Sequence, residues 1–257
     1  MTVHSVSVRI GARALTAEIH VPATLTDGLP PLLALHGISR DARGIAREFT
    51  GPCAMRGQIL IVPRFSNRHW PHFQRIGGVR PDQALLSLLS IVKDMGLAAT
   101  QRVALFGYSG GAQLAHRFAM IYPQRVASLH VAAAGWYCLP DPSIPFPVGI
   151  GPADGKLKVN VPALALTQLA DYLRLPLRVY VGSDDTLRDD ALRKDARLDD
   201  IQGQDRRARA YSFADTFRAA GDAHGIIPDL SITELPRCGH SFSDCAGAGL
   251  TARVCDL

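Results

Sequence analysis

The sequence predicts an α/β domain: a mostly parallel sheet with helices on both faces. Three observations carry that prediction. Short apolar runs such as Pro31-Leu32-Leu33-Ala34-Leu35 and Val103-Ala104-Leu105-Phe106 have the length and unbroken hydrophobicity of strands buried on both sides. Segments between such runs carry apolar residues at helical spacing, most clearly over residues 81–95. One run passes straight into Gly107-Tyr108-Ser109-Gly110-Gly111, and Ala112, Leu114, Ala115, Phe118, Ala119 and Ile121 follow at the spacing of a helix packed into a core.

Taken in order, a first strand is expected over residues 3–10 and a second over 16–22. Asp27-Gly28-Leu29-Pro30 then turns the chain into the strand at 31–35. A helix over 42–55 and a strand over 58–63 follow. The helix at 81–95 has Pro81 in its first turn, where a missing N–H leaves no hydrogen bond unmade. After the Gly-x-Ser-x-Gly turn and its helix comes a strand over 126–134. Pro140-Asp141-Pro142-Ser143-Ile144-Pro145-Phe146-Pro147 interrupts the alternation and reads as a rigid loop rather than a linker. Leu177–Gly182 resumes it, running into Ser183-Asp184-Asp185, and Leu230–Leu235 alternates as a strand does before Pro236-Arg237-Cys238-Gly239-His240. No internal repeat or low-complexity tract interrupts the 257 residues, and 47% hydrophobic content suits a single core.

A strand, a Gly-x-Ser-x-Gly turn and a helix in direct succession read as a nucleophile elbow, which strains the Ser backbone so that its Oγ stands clear of the sheet's carboxyl end. The chain then supplies an acid after one strand and a histidine after the next. Either Asp184 or Asp185 could be that acid, since periodicity does not resolve one residue in a turn. Of nine histidines, His240 alone follows the last strand, whereas His224 precedes it. His36 is expected to bond loop backbone.

With Ser, acid and His in this order, and His36-Gly37 closing an upstream strand, the sequence resembles the α/β-hydrolase superfamily over nearly its whole length. Within it, His36-Gly37-Ile38-Ser39-Arg40-Asp41-Ala42, Ala134-Gly135-Trp136-Tyr137 and Cys238-Gly239-His240-Ser241-Phe242 resemble a bacterial group of depolymerase-like and esterase-like serine hydrolases. The resemblance implies a Ser109 nucleophile, a His240 base, and an oxyanion hole made by the backbone N–H groups of Ile38 and Gly110. It selects Asp185 as the acid, because the family's acid often follows a Gly-x-x-Asp pattern that Gly182 to Asp185 matches. A Ser nucleophile sets the chain apart from relatives on this fold that attack with Asp or Cys. On such a fold, residues 138–173 would form a small cap insertion above the nucleophile. Trp136, Tyr137 and Phe146, with Phe65 and Trp70 from the loop after residue 63, become candidate pocket walls.

The expected activity is serine-dependent acyl hydrolysis of a small or oligomeric carboxylic ester, needing no metal or organic cofactor. Amide or thioester hydrolysis on the same triad is the alternative within catalysis. A catalytically silent binding domain is the alternative outside it. Arg68-His69-Trp70-Pro71-His72 lacks the nearby carboxylate of a metal site. Cys53, Cys138, Cys238, Cys245 and Cys255 contain no Cys-x-x-Cys pair and read as buried or partly buried thiols, Cys238 among them as packing beside His240; a bridge between two of the C-terminal three is the alternative for an exported protein.

A net charge of +5 and a pI near 9.1 invite a nucleic-acid reading, but the charge is not gathered into a stripe. Over residues 188–209 Arg and Asp interleave, as in a solvated, self-compensating segment, and no nucleic-acid partner is expected. The N-terminus carries no basic start with an apolar run behind it, and no stretch approaches a membrane span. A cytoplasmic location without membrane association is the expectation.

Overall fold

Leu32, Leu33, Ala34 and Leu35 are all fully buried, as a strand covered on both faces must be. In the computed structural model, which describes residues 1–256, eight strands make one sheet. They are β1 (Thr2–Ile10), β2 (Arg13–Val21), β3 (Leu32–Leu35), β4 (Leu60–Arg64), β5 (Val103–Tyr108), β6 (Val126–Ala132), β7 (Leu177–Gly182) and β8 (Leu230–Leu235). The order across the sheet is β1-β2-β4-β3-β5-β6-β7-β8. The hairpin of β1 and β2 joins antiparallel to β4, and every pairing from β4 to β8 is parallel.

The pleat sorts side chains into two cores. Leu33, Leu35, Ile61, Leu105, Val131 and Val179 point into the larger one, beneath α2 (Pro81–Asp94) and α3 (Gly110–Ile121). Their neighbours Leu32, Ala34, Leu60, Phe106 and Ala132 point to the other face, beneath α1 (Ala42–Arg56) and α9 (Leu250–Cys255). Helix α1 starts where Asp41 accepts the Gly44 N–H and stops at Gly57 in the left-handed region, so its bounds follow from ordinary capping. Among the described residues no helix is long and apolar enough to cross a membrane.

The expected strands lie where the apolar runs placed them, and the second half adds helices between and after β6 and β7. Helices α4 (Val161–Thr167) and α5 (Leu169–Leu173) pack on α3 in the helix layer. Only the 139–160 loop of the expected cap region therefore reaches the cavities described below. The 188–209 stretch is not a solvated segment. It contains α6 (Ala196–Gln202) and the start of α7 (Arg206–Ala223), and it buries Arg206 and Arg209 completely. Its self-compensation is real: Arg188 and Arg209 share Asp199, and Arg206 pairs with Asp185 and Asp189. The pairing is what permits the burial. Helix α8 (Phe242–Gly247) follows directly after His240.

Three histidines are buried without a charged partner: His36, His116 and His130. Desolvation lowers His36 to about 4 and His130 to about 3, and holds His116 well below the usual value. Each is neutral in the folded chain and takes up a proton more readily once unfolded. Stability is therefore complete above about pH 6.5 and is lost as the pH falls through 6.5 towards 4. His36 alone should cost about 2 kcal/mol between pH 7.5 and pH 5, a window in which ordinary carboxylates barely titrate. Urea unfolding at the two pH values checks this. Equal midpoints would contradict it.

Candidate active site

Ser109 sits between β5 and α3 at φ 53°, ψ −113°, a conformation that L residues seldom adopt. Its N–H bonds the Ala132 carbonyl of β6 at 2.8 Å and its carbonyl accepts the Gln113 N–H at 3.2 Å, so sheet and helix hold the turn from both sides. The flanking glycines are required by close approach. A Cβ on Gly107 would stand 2.6 Å from the Ala112 nitrogen, and one on Gly111 would stand 2.6 Å from the His36 carbonyl oxygen.

Two later strands deliver the partners. Asp185 follows β7 and is 1% exposed, whereas Asp184 beside it points to solvent and takes a hydrogen bond from Ser183. His240 follows β8. The loops carrying the two are tied together, the Asp184 N–H to the Cys238 carbonyl at 2.9 Å and the Arg237 N–H to Ser183 Oγ at 2.9 Å. His240 Nδ1 lies 2.9 Å from Asp185 Oδ2 and Nε2 lies 3.0 Å from Ser109 Oγ. The structure thus brings Ser109, His240 and Asp185 into one hydrogen-bonded chain. With Nδ1–H donating to the carboxylate, Nε2 is left free to accept the Ser109 proton.

The second Asp185 oxygen faces Arg206 Nη1 at 3.4 Å, and Arg206 Nη2 donates to Asp189 at 2.8 Å. The Arg206 guanidinium, with the Leu192 N–H, holds the Asp189 carboxyl below the usual range. No sequence signal marked Arg206, because a contact across 21 residues is set only when α7 docks beside the β7 loop.

The Ile38 backbone lies against Gly110, next to Ser109 in sequence: the Ile38 nitrogen is 3.2 Å from where a Gly110 Cβ would stand. Among the described residues neither N–H donates to a protein group. His36 fixes the Ile38 loop, donating from Nδ1 to the Gly37 carbonyl at 2.8 Å and accepting the Phe65 N–H on Nε2 at 3.0 Å. Arg40 completes the brace by bonding the Phe65 carbonyl and, at 3.3 Å, the Trp70 carbonyl. A cleft of about 370 Å³ opens over Ser109 and His240, with Ile38, Ile45, Tyr108 and Phe242 as its apolar wall. Ile38 is 44% exposed at its mouth.

Three expected pocket residues lie elsewhere. Phe65 and Trp70 are fully buried beneath the Arg40 brace, where Trp70 Nε1 bonds the Ala14 carbonyl at 2.7 Å. Tyr137 is fully buried as well, stacked on Phe213 with ring centroids 4.3 Å apart. All three are core residues with no surface to offer a ligand. Trp136 and Phe146 do line a cavity, but a second one beside the cleft. His69 and His72 belong to no metal-like cluster of His, Cys, Asp and Glu among the described residues. All five cysteines are buried free thiols, with Cys53 and Cys255 sulfurs 3.8 Å apart.

Solved structures share the fold over nearly the full chain. Poly(aspartic acid) hydrolase-1 from Sphingomonas sp. KT-1 matches with a TM-score of 0.81 at 21% identity, covering 96% of this chain and 97% of its own. The poly(3-hydroxybutyrate) depolymerase LpqC from Bordetella parapertussis matches at 0.79 and 20%, covering 98% and 89%. The fold is that of the α/β-hydrolases. An S-formylglutathione hydrolase from Agrobacterium tumefaciens shares this α/β-hydrolase fold at a TM-score of 0.62 and 16% identity, covering 98% and 92%. No protein-family model and no curated protein sequence matches the chain. In the α/β-hydrolase frame, the Ser109 turn, the β7 loop and the β8 loop lie along the carboxyl edge of the parallel strands, where ligands of open α/β sheets bind.

Proposed function

We propose that the protein is a serine-dependent acyl hydrolase, acting on carboxylic esters through Ser109, His240 and Asp185. One observation carries this reading: an unbroken hydrogen-bond chain from Ser109 Oγ through His240 to a buried Asp185, beside the Ile38 and Gly110 backbone N–H groups, which donate to no protein group among the described residues.

A Ser hydroxyl is a weak nucleophile, so attack on a carbonyl needs its proton removed as the C–O bond forms. His240 Nε2 takes that proton, and the resulting imidazolium is stabilised through Nδ1–H by Asp185. Arg206 keeps Asp185 in place from behind. The tetrahedral oxygen gains negative charge beside the Ile38 and Gly110 N–H groups, and one such donor can contribute roughly 3–4 kcal/mol. His240 then returns its proton to the leaving alkoxide, and a water molecule, deprotonated by the same nitrogen, releases the acid. No step calls for a metal or an organic cofactor.

The apolar wall of the cleft favours an acyl chain of modest length. A panel of 4-nitrophenyl esters from acetate to decanoate, followed by stopped flow, tests the reading. The expected result is turnover with a burst of nitrophenol approaching one equivalent per chain wherever deacylation limits the rate. A folded protein inert to esters, thioesters and amides alike would leave the silent binding domain instead.

A further inference from the structure

Three arginines of this chain are almost wholly buried, and two of them have carboxylate partners. Arg206 pairs with Asp185 and Asp189, and Arg209 pairs with Asp199. The third, Arg117, has none. It is 2% exposed, its Nη1 donates to the Gln113 carbonyl at 2.8 Å, and its Nη2 has no partner among the described residues. Its guanidinium lies 4.4 Å from the centre of the Trp136 ring. An indole face attracts a cation but does not replace a counter-ion. Burial lowers the Arg117 pKa to about 10, with the charges of Arg75 and Arg193 acting in the same direction, yet the group remains cationic at neutral pH. A buried charge without a partner is costly, which makes it informative.

Arg117 lines a cavity of about 730 Å³, and the rest of that lining is equally one-sided. Arg75, Arg193, Lys156 and Lys158 contribute to it, and Asp154 is its single carboxylate. Arg193 is already bonded to Asp195 at 3.0 Å, which leaves Arg117 and Arg75 among the lining charges without a carboxylate partner among the described residues.

The cavity adjoins the Ser109 cleft through three elements. Along α3, the Arg117 side chain folds back to the Gln113 carbonyl, and the Gln113 N–H bonds the Ser109 carbonyl. Gln74 packs against Gly110 while Arg75 beside it lines the cavity. Ala191 lines the cleft and Arg193, two residues on, lines the cavity. Ser109 and Arg117 are about 12 Å apart along the helix axis, and the side chain leans back towards the N-terminus. A bound anion would lie roughly 6–10 Å from the reacting carbonyl.

We propose that this cavity is the subsite for a carboxylate carried by the substrate several bonds from the scissile carbonyl, with Arg117 at its floor and Arg75 and Arg193 at its mouth. The proposal deepens the hydrolase reading and rests on it for the word substrate. The carboxylate can enter on the acyl side or the alcohol side of the ester, and the two arms of the test separate these.

Suberate supplies a carboxylate at the required distance, and suberamide is its neutral counterpart. Calorimetry on the Ser109→Ala protein measures binding without chemistry. Suberate should bind at least tenfold more tightly than suberamide, and Arg117→Met should abolish that difference. Removing a buried unpaired charge is compatible with folding. Arg75→Ala, at an exposed position, should weaken suberate several-fold whatever becomes of the Arg117 variant. Equal affinity for suberate and suberamide, or a folded Arg117→Met protein with unchanged affinity, would overturn the proposal.

With active protein, mono-4-nitrophenyl suberate against its methyl ester tests the acyl arm, and 6-(butanoyloxy)hexanoate against its methyl ester tests the alcohol arm. A ratio of kcat/KM of at least tenfold in favour of the carboxylate is expected in one arm. Ester turnover with no preference in either arm sinks the subsite and leaves the hydrolase standing. Suberate binding without any ester turnover supports the anion site and removes the hydrolase reading.

Discussion

Replacing Ser109 by alanine is expected to lower kcat for ester hydrolysis by roughly 10⁶, the loss typical of removing the nucleophile from a cooperating triad. The magnitude follows from the geometry. Ser109 Oγ is the one hydroxyl bonded to His240 Nε2, and a water molecule in its place would lack the elbow that fixes the line of attack. The fold should persist, because alanine can occupy the same positive-φ turn as serine and loses only a side-chain oxygen. Stability should hold or rise, as is common when a strained functional residue is simplified. Steady-state rates with a 4-nitrophenyl ester, alongside thermal melts of both proteins, check the two halves together. A folded variant keeping more than a small fraction of wild-type kcat would show that another group attacks the carbonyl.

The second large effect separates two adjacent acids. Asp185→Asn should cut kcat by up to roughly 10⁴, since an amide can donate to His240 Nδ1 and so favour the tautomer whose Nε2 carries a proton and cannot accept one. Asp184→Asn should leave kcat nearly unchanged, because that carboxylate faces solvent and is bonded only to the Ser183 hydroxyl. Asparagine matches the volume of aspartate, and Arg206 keeps its 2.8 Å bond to Asp189, so the Asp185 variant should fold. Measured side by side, equal losses would mean that neither acid acts through the histidine. A larger loss at Asp184 would reverse the assignment.

How far the sequence discloses the site depends on how local each device is. The elbow is legible because Gly107, Ser109 and Gly111 lie within five residues and their types follow from backbone crowding that any strand-to-helix turn of this kind creates. The parallel strands are legible for a similar reason, since burial on both faces leaves runs such as Leu32–Leu35 without polar residues. Choosing Asp185 over Asp184 needed the family pattern, because the side-chain direction within a turn is not a periodic property.

Other features are invisible for physical reasons. Phe65, Trp70 and Tyr137 follow strand ends, just as pocket residues do, but the Arg40 brace and the Phe213 stack turn them inward. Those contacts span tens of residues and leave no local trace. Helix α7 did leave one: Asp205 caps it, and Ala210, Phe213, Ala214, Phe217 and Gly221 form its buried face. The dense Arg and Asp pattern before it drew attention to solvent exposure instead. The same pattern hid Arg206 and Arg209, whose burial becomes tolerable only once Asp185, Asp189 and Asp199 are brought to them.

The central claim is that Ser109 is an activated nucleophile, and covalent labelling tests it most directly. The native protein, treated with a fluorophosphonate and analysed by intact mass and peptide mapping, should carry one adduct per chain on Ser109. Ser109→Ala should carry none, and His240→Ala should label far more slowly because nothing then removes the Ser109 proton. A folded native protein that fails to react, or one whose adduct maps to another residue, would contradict the account.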